Sequence, residues 1–267
     1  MNPGVAGPTF PEFLRDLASR GRYHVSTQQA AEAVGVSLNA ARSALRRLKK
    51  KALVASPYRG FHVIVPAEYQ HLGCLPAEQF VPQLMDWLGT PYYAGLLTAA
   101  RYHGAAHHQP QRFQVVVPKS RPGIRCGRVE VTFIARHNAG AMPTEPINTP
   151  RGFLQVSTPE VTAFDLVGYA RHCGGLDHVA TVLSELGEKL TGDALRSIAE
   201  LSPLPWAQRL GYLLDQVGYS DRSDCLAAFV ARRATESVEL APGGSQAAPK
   251  RDARWKLLIN VSVELES

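Results

Sequence analysis

The chain has 267 residues, with 29 Lys/Arg against 23 Asp/Glu for a formal charge of +6, and it is 45% hydrophobic and 19% charged. That composition excludes a disordered polyelectrolyte, and the length suits one large domain or two ordinary ones. Cys74, Cys126, Cys173 and Cys225 form no CxxC pair, which argues against a thiolate zinc site or a disulfide framework. No apolar run nears the roughly 18 residues needed to cross a bilayer, and the opening MNPGVAGPTF lacks a basic-then-apolar leader pattern. A cytoplasmic protein with no membrane partner is expected.

The charge is unevenly spread. Residues 1–65 hold ten Lys/Arg and three acids, a local +7. Residues 66–89 carry −3, residues 90–136 carry +6, and residues 137–267 carry −4. A basic small module joined to a larger one points to a polyanion partner, with a solvated basic surface as the alternative.

In chain order, residues 10–20 predict a helix with Phe10, Phe13, Leu14 and Leu17 on one face, stopped at Gly21. Ser26 with Gln29 forms a capping box for a second helix that ends at Gly35. Ser37 caps a third, LNAARSALRRLKKKA. Two short helices across a glycine turn make a helix-turn-helix. At about 100° per residue, Leu38, Ala41, Leu45, Leu48 and Ala52 fall on the core side of the third helix. Asn39, Arg42, Ser43 and Arg46 are the candidates for base edges, since Asn and Arg match adenine and guanine bidentately. Arg47, Lys49, Lys50 and Lys51 suit phosphates. The alternative is a surface helix whose cations favour its own C-terminal dipole. Residues 53–56 and 61–65 then read as strands around a type I turn at Pro57-Tyr58-Arg59-Gly60. That makes a winged helix with Tyr58 and Arg59 at the wing tip. A plain structural hairpin is the alternative.

The string LRRLKKKALVASPYRGFHVIVPAEY resembles the N-terminal end of AbiEi-like antitoxins, from abortive-infection AbiE (type IV) toxin–antitoxin systems. YYAGLLTAARYHGAAHHQPQRFQVVV, STPEVTAFDLVGYARHCGGLDHVATVL and WKLLINVSVE resemble that family's C-terminal domain. The resemblance implies an N-terminal winged helix-turn-helix that binds double-stranded operator DNA and represses its own operon. It further implies a C-terminal domain that counters a nucleotidyltransferase-type toxin without requiring a stable complex.

Residues 69–89 read as a connector with one helix near 78–88, so the expected division is 1–68, 69–89 and 90–267. The expected fold class is α+β and multidomain, a winged helix-turn-helix followed by a larger mixed α/β domain. Residues 91–105 predict a buried helix, and FQVVVP and VEVTFIAR predict strands. Between these strands, Lys119, Arg121, Arg125 and Arg128 sit on a basic loop, expected as an exposed tip and a second nucleic-acid contact. Solvated loop charge is the alternative. Residues 157–192 predict helices opened by Thr158 and Pro159, with Asp165 a buried structural aspartate. LRSIAEL and LPWAQRLGYLLDQVG follow as helices. Residues 234–253 read as a mobile loop, and residues 255–265 alternate as a strand returning to the main sheet.

His103, His107 and His108 invite a metal reading, but no HExxH or neighbouring carboxylate accompanies them. The alternatives are histidines hydrogen-bonded at a helix-to-strand junction, or a polar contact surface. No phosphate-loop, dinucleotide or nucleophile-elbow motif occurs. No catalytic residue, metal or cofactor is therefore assigned. Two other functions remain open: a stand-alone winged-helix regulator whose C-terminal domain senses a ligand or partner, and a metal-dependent nuclease.

Overall fold

Local hydrogen bonds start the first three helices where the sequence predicts. In the computed structural model, which describes residues 7–105, 112–244 and 249–265, Thr9 opens α1 (Phe10–Ser19) in a capping box with Glu12. Strand β1 (His24–Ser26) follows and leads directly into α2 (Thr27–Val34). Ser26 accepts from the Gln29 N–H at 3.0 Å, and the Gln29 side-chain oxygen accepts from the Ser26 N–H at 3.0 Å. Gly35 closes the helix at φ 72°, where a Cβ would be strained. Ser37 caps α3 (Leu38–Lys50) by accepting from the Ala40 N–H. Strands β2 (Val54–Tyr58) and β3 (Phe61–Ile64) complete a sheet of order β1-β3-β2. The α1-β1-α2-α3-β2-β3 order fits a winged helix. Leu14, Leu17, Val25, Ala30, Leu45, Leu48 and Val54 form its core, each large side chain contributing about 1.5–3 kcal/mol by leaving water.

The chain continues through α4 (Val81–Trp87), β4 (Tyr93–Ala94), α5 (Leu96–Tyr102), β5 (Phe113–Val117), β6 (Ile124–Cys126) and β7 (Val129–Ala135). Then come β8 (Thr144–Thr149), β9 (Gly152–Ser157), α6 (Pro159–Gly168), α7 (Leu176–Leu186), α8 (Gly192–Glu200), α9 (Leu204–Gln216) and α10 (Ser220–Arg233). Strands β10 (Val238–Glu239), β11 (Lys250–Asp252) and β12 (Leu257–Ile259) end it. The fold is α+β and divides into two compact units.

The units do not follow the expected 1–68, 69–89 and 90–267 division. Unit 1 takes the described residues within Met1–Tyr92, Gln111–Ala135 and Pro146–Gln155; unit 2 takes those within Tyr93–Pro110, Arg136–Glu145 and Val156–Ser267. Residues 69–89 are no connector. Cys74, Leu75, Phe80, Val81, Leu84 and Met85 are buried in one cluster with Phe61 and Val63 of the winged helix and with Val115, Val117 and Val131. Pro82 lies in the first turn of α4, where its missing N–H costs nothing. The winged helix thus shares its hydrophobic core with the sheet β6-β7-β5, in which β5 and β7 are parallel and β6 and β7 antiparallel. Cys74 and Cys126, 52 residues apart, are both buried in that cluster as free thiols.

Three local expectations change. The wing turn is centred on Arg59-Gly60, because Tyr58 pairs with Phe61 across the hairpin and Gly60 takes φ 83°. Leu38 is 39% exposed and Ala52 lies beyond the helix at φ 56°, while Ala44 takes a core place. The basic segment between β5 and β7 is not all loop, since Ile124–Cys126 pairs with Val129–Val131.

In unit 2, β4 pairs in parallel with β9 at Ala94–Val156. Thr158 caps α6 by accepting from the Val161 N–H, with Pro159 in the first turn. The chain end differs most from expectation. Residues 238–239 and 250–252, within the predicted mobile loop, are strands of a small sheet ordered β10-β12-β11. Residues 255–265 join that sheet through 257–259 alone rather than returning to the main one. Lys256 at φ 48° breaks the alternation on one side. On the other, the buried Asn260 side chain bonds both N–H and C=O of Ala241, taking the place of a further ladder pair.

Candidate nucleic-acid interface

Helix α3 separates its residues cleanly. Ala41, Ala44, Leu45 and Leu48 are buried, while Asn39, Arg42, Ser43, Arg46, Arg47, Lys49, Lys50 and Lys51 are all exposed. The fold then brings one side of this helix opposite the wing. A groove of about 790 Å³ is lined by Arg42, Arg46 and Lys49 of α3, Arg59 and His62 of the wing, and Thr27 at the start of α2. Leu38 and Trp87 add apolar wall, and among the described residues no acid lines it. Ser43, Arg47, Lys50 and Lys51 are not among the lining residues. Asn39 is not either, but its side-chain oxygen accepts from Arg42 Nη1 at 3.2 Å, joining two base-edge candidates.

The walls of the groove are tied together. The Thr27 N–H donates to the Gly60 carbonyl at 2.9 Å, fixing the start of α2 to the wing turn. His62 lies between the hydroxyls of Thr27, 2.9 Å from Nε2, and Ser56, 2.9 Å from Nδ1. Burial lowers the His62 pKa to about 4, with the charge of Lys49 acting in the same direction. A neutral ring donates through one nitrogen and accepts through the other, so His62 can satisfy both hydroxyls in that state. Tyr58, expected at the wing tip, is half-buried with its ring edge-on to Trp87 at 6.2 Å, leaving Arg59 as the exposed tip cation. The local sequence held no signal for Trp87, His62 or Thr27 as groove residues. Trp87 comes from α4 and His62 from the wing strand β3, and Thr27 is the first residue of α2, brought to the groove by its bond to Gly60.

The second basic segment is divided. Arg121 turns inward, its Nη2 donating to Thr90 Oγ1 at 3.3 Å and its guanidinium lying 5.5 Å from the Phe133 ring centre. That corrects the expected exposed tip. Arg125 is exposed but paired with Glu130 at 2.5 Å, and Glu130 also takes Arg112 at 3.1 Å. Lys119 and Arg128 are exposed.

The histidine block is only partly in view. His103 is buried and bonds through Nε2 to the Ser157 carbonyl at 2.7 Å, while its own carbonyl accepts from Lys189. That is the helix-to-strand junction reading. His107 and His108 lie outside the described residues. Among the described residues, no group of three or more His, Cys, Asp or Glu is placed to hold a metal ion, and no helix is long and apolar enough to cross a membrane.

The α6 segment of unit 2 centres on Asp165, fully buried and bonded by Arg136 at 2.5 Å and by the Tyr93 hydroxyl at 2.7 Å. This stretch falls inside a region, residues 93–216, that matches the family model described as AbiEi antitoxin C-terminal domain. This part of the chain is AbiEi-like. The AbiEi match begins at Tyr93, the first residue of unit 2, and also takes in the strands β5 to β7 that belong to unit 1. The whole chain is similar in fold to a solved structure, the RV2827C protein from Mycobacterium tuberculosis, with a TM-score of 0.65 at 19% identity. That likeness covers 96% of this chain and 94% of the other. No curated protein matches the chain.

Proposed function

We propose that this chain is the antitoxin of a type IV toxin–antitoxin operon, that it binds operator DNA through its winged helix to repress that operon, and that it counters a nucleotidyltransferase-type toxin. The carrying observation is the groove between α3 and the wing, which gathers Arg42, Arg46, Lys49 and Arg59 with no acid among the residues that line it. A long groove lined by one sign of charge is what a phosphate backbone requires. In this reading Asn39, Arg42, Ser43 and Arg46 face base edges, and Arg47, Lys49, Lys50, Lys51 and Arg59 hold phosphates, with Tyr58 supporting the wing from beneath. Lys119, Arg125 and Arg128 supply a second, weaker contact, from which Arg121 is withdrawn. The antitoxin role rests on the AbiEi match at residues 93–216. The reading assigns no catalytic residue, metal or cofactor, requires no stable complex with the toxin, and sets the protein in the cytoplasm.

Two measurements test it. Fluorescence anisotropy with the DNA upstream of the operon should give an affinity that falls steeply with salt, and Arg42→Glu with Arg46→Glu should abolish it. Co-expression with a nucleotidyltransferase-type toxin, which in this reading is encoded in the same operon, should relieve its toxicity. Persistent toxicity with the full chain present would overturn the antitoxin half, and salt-independent or absent binding the repressor half.

A second reading, a regulator whose unit 2 senses a ligand, is favoured by a largely apolar cavity of about 490 Å³ in that unit, with Arg171, His172 and Arg209 on its wall. Retained operator binding without any effect on toxicity would favour it.

A further inference from the structure

A second, smaller cavity lies within unit 1, apart from the groove. It has a volume of about 210 Å³, and its walls include Arg20, Arg22 and Arg151 together with Tyr23, Gln79 and Gln83. Among the described residues no acid lines it. Three guanidinium groups on its walls give the space a positive potential that favours an anion. Arg20 has a carboxylate partner, Asp16 at 2.9 Å, on its own helix. Arg151 is held rigidly, stacked 3.4 Å from the Tyr23 ring centre and donating through Nε to the Gln79 side-chain oxygen at 2.7 Å. Its carboxylate neighbour among the described residues is the exposed Glu68, at 4.0 Å. Two polar atoms on the walls, Arg22 Nε and Gln83 Oε1, are buried without a hydrogen-bond partner among the described residues. Of the two, the Arg22 Nε–H is a donor that a bound oxyanion would satisfy, whereas Gln83 Oε1 is an acceptor and needs a donor from elsewhere.

We propose that this cavity binds a phosphoryl group. The fixed fork of Arg151 and the free Nε–H of Arg22 match tetrahedral oxyanions, and the volume admits one or two linked phosphoryl groups rather than a nucleobase as well. The cavity is also wired to the DNA-facing groove. Arg22 Nη2 donates to the Gln29 side-chain oxygen at 3.0 Å, the same oxygen that accepts from the Ser26 N–H to cap α2. Drawing Arg22 toward an anion weakens its hold on that cap, and Thr27 and Gln28 of the same helix start line the groove. Binding here therefore biases the α2 terminus. The phosphoryl group has two sources, a free small phosphate or the backbone of bound duplex; the first does not depend on the proposed function, while the second does.

Calorimetric titration of inorganic pyrophosphate into the full chain, without DNA and in low-chloride buffer, distinguishes them. The key variant is Gln79→Glu. It keeps the acceptor for Arg151 and can still bond the Tyr69 hydroxyl, 2.9 Å from Gln79 Nε2, but places a negative charge on the wall. Arg20→Gln is a second variant, at a mostly exposed side chain whose carboxylate partner is Asp16 on its own helix. Saturable 1:1 binding to the parent, weakened about tenfold or more in both variants, assigns the cavity to a free phosphate. No pyrophosphate binding, but weaker duplex affinity and a salt slope shallower by about one in both variants, assigns it to a backbone phosphate. Parent-like behaviour of both variants in both titrations overturns the proposal.

Discussion

Arg136 and Asp165 meet at 2.5 Å in the interior of unit 2, with 3% and 0% of their side-chain surface exposed. Arg136 also donates to Asn138 at 3.1 Å and Ser202 at 2.8 Å, and its guanidinium lies 5.3 Å from the Trp206 ring centre. Burial pushes the Asp165 carboxyl above the usual carboxylate range, and Arg136 opposes that push. Removing one partner leaves the other charge without compensation. Asp165→Ala should lower the stability of the full chain by about 3–5 kcal/mol in urea unfolding. A loss under about 1 kcal/mol would show that water or another group takes over the guanidinium.

His62 makes the winged helix sensitive to acid. Its folded pKa of about 4 lies below the ordinary 6.5 because burial, then Lys49, disfavour the charged ring. Between those values the unfolded chain binds more protons, so stability rises with pH. The contribution is therefore complete above pH 6.5 and is lost progressively as pH falls toward 4. His62→Gln should flatten this part of the profile while lowering stability at pH 7. Equal slopes for parent and variant across that window would place the acid sensitivity elsewhere.

The Asn39–Arg42 bond predicts coupling on DNA. If both residues read bases, Asn39→Ala and Arg42→Ala should each cost about 1–3 kcal/mol on operator DNA and less than their sum together. Arg47→Ala and Lys50→Ala should weaken operator and random duplex alike, each reducing the salt slope by about one. Strict additivity for the first pair would show the two act separately.

The split within the second basic segment gives a sharper test than its charge count. Lys119→Ala with Arg128→Ala should weaken duplex binding and leave the melting temperature unchanged, because both side chains are exposed. Arg121→Ala should lower the melting temperature instead, through loss of its packing against Met85, Thr90 and Phe133. Unchanged duplex affinity for the double variant would remove this segment from the interface.

Gly211 lies in the middle of α9 because a tryptophan occupies the space of its side chain. A Cβ there would stand 2.0 Å from the Trp255 ring, whose Nε1 donates to Asp215 at 2.8 Å. Gly211→Ala should cost about 1–3 kcal/mol despite alanine's better helix propensity. Increased tryptophan exposure by fluorescence quenching would locate the damage. A stabilised variant would mean that the ring moves aside freely.

What the sequence determined by itself is the set of features closed within a few residues. The capping box of Ser26 and Gln29, the turn at Gly35, the Ser37 cap and the polar face of α3 all rest on bonds or angles spanning one helical turn. The helix-turn-helix is therefore legible in the order of residues alone, as are β5, β7, the start of α6 and the buried Asp165. Only tertiary structure decided where distant segments meet. Residues 69–89 have the proline spacing of a connector, yet Phe80, Leu84 and Met85 find apolar surface on the sheet β6-β7-β5 and behind the wing. The strand pattern at 255–265 shows which side chains want burial but not against what, and Trp255 over Gly211 with Asn260 on Ala241 settles it. The net charge of residues 90–136 could not show that Arg121 turns inward or that Glu130 holds two arginines. The anion-sized cavity gathers Arg20, Arg22 and Arg151 from opposite ends of unit 1's sequence. Local hydrogen bonding is written in sequence spacing; hydrophobic burial and charge pairing are non-directional along the chain, and only the folded arrangement of the whole selects their partners.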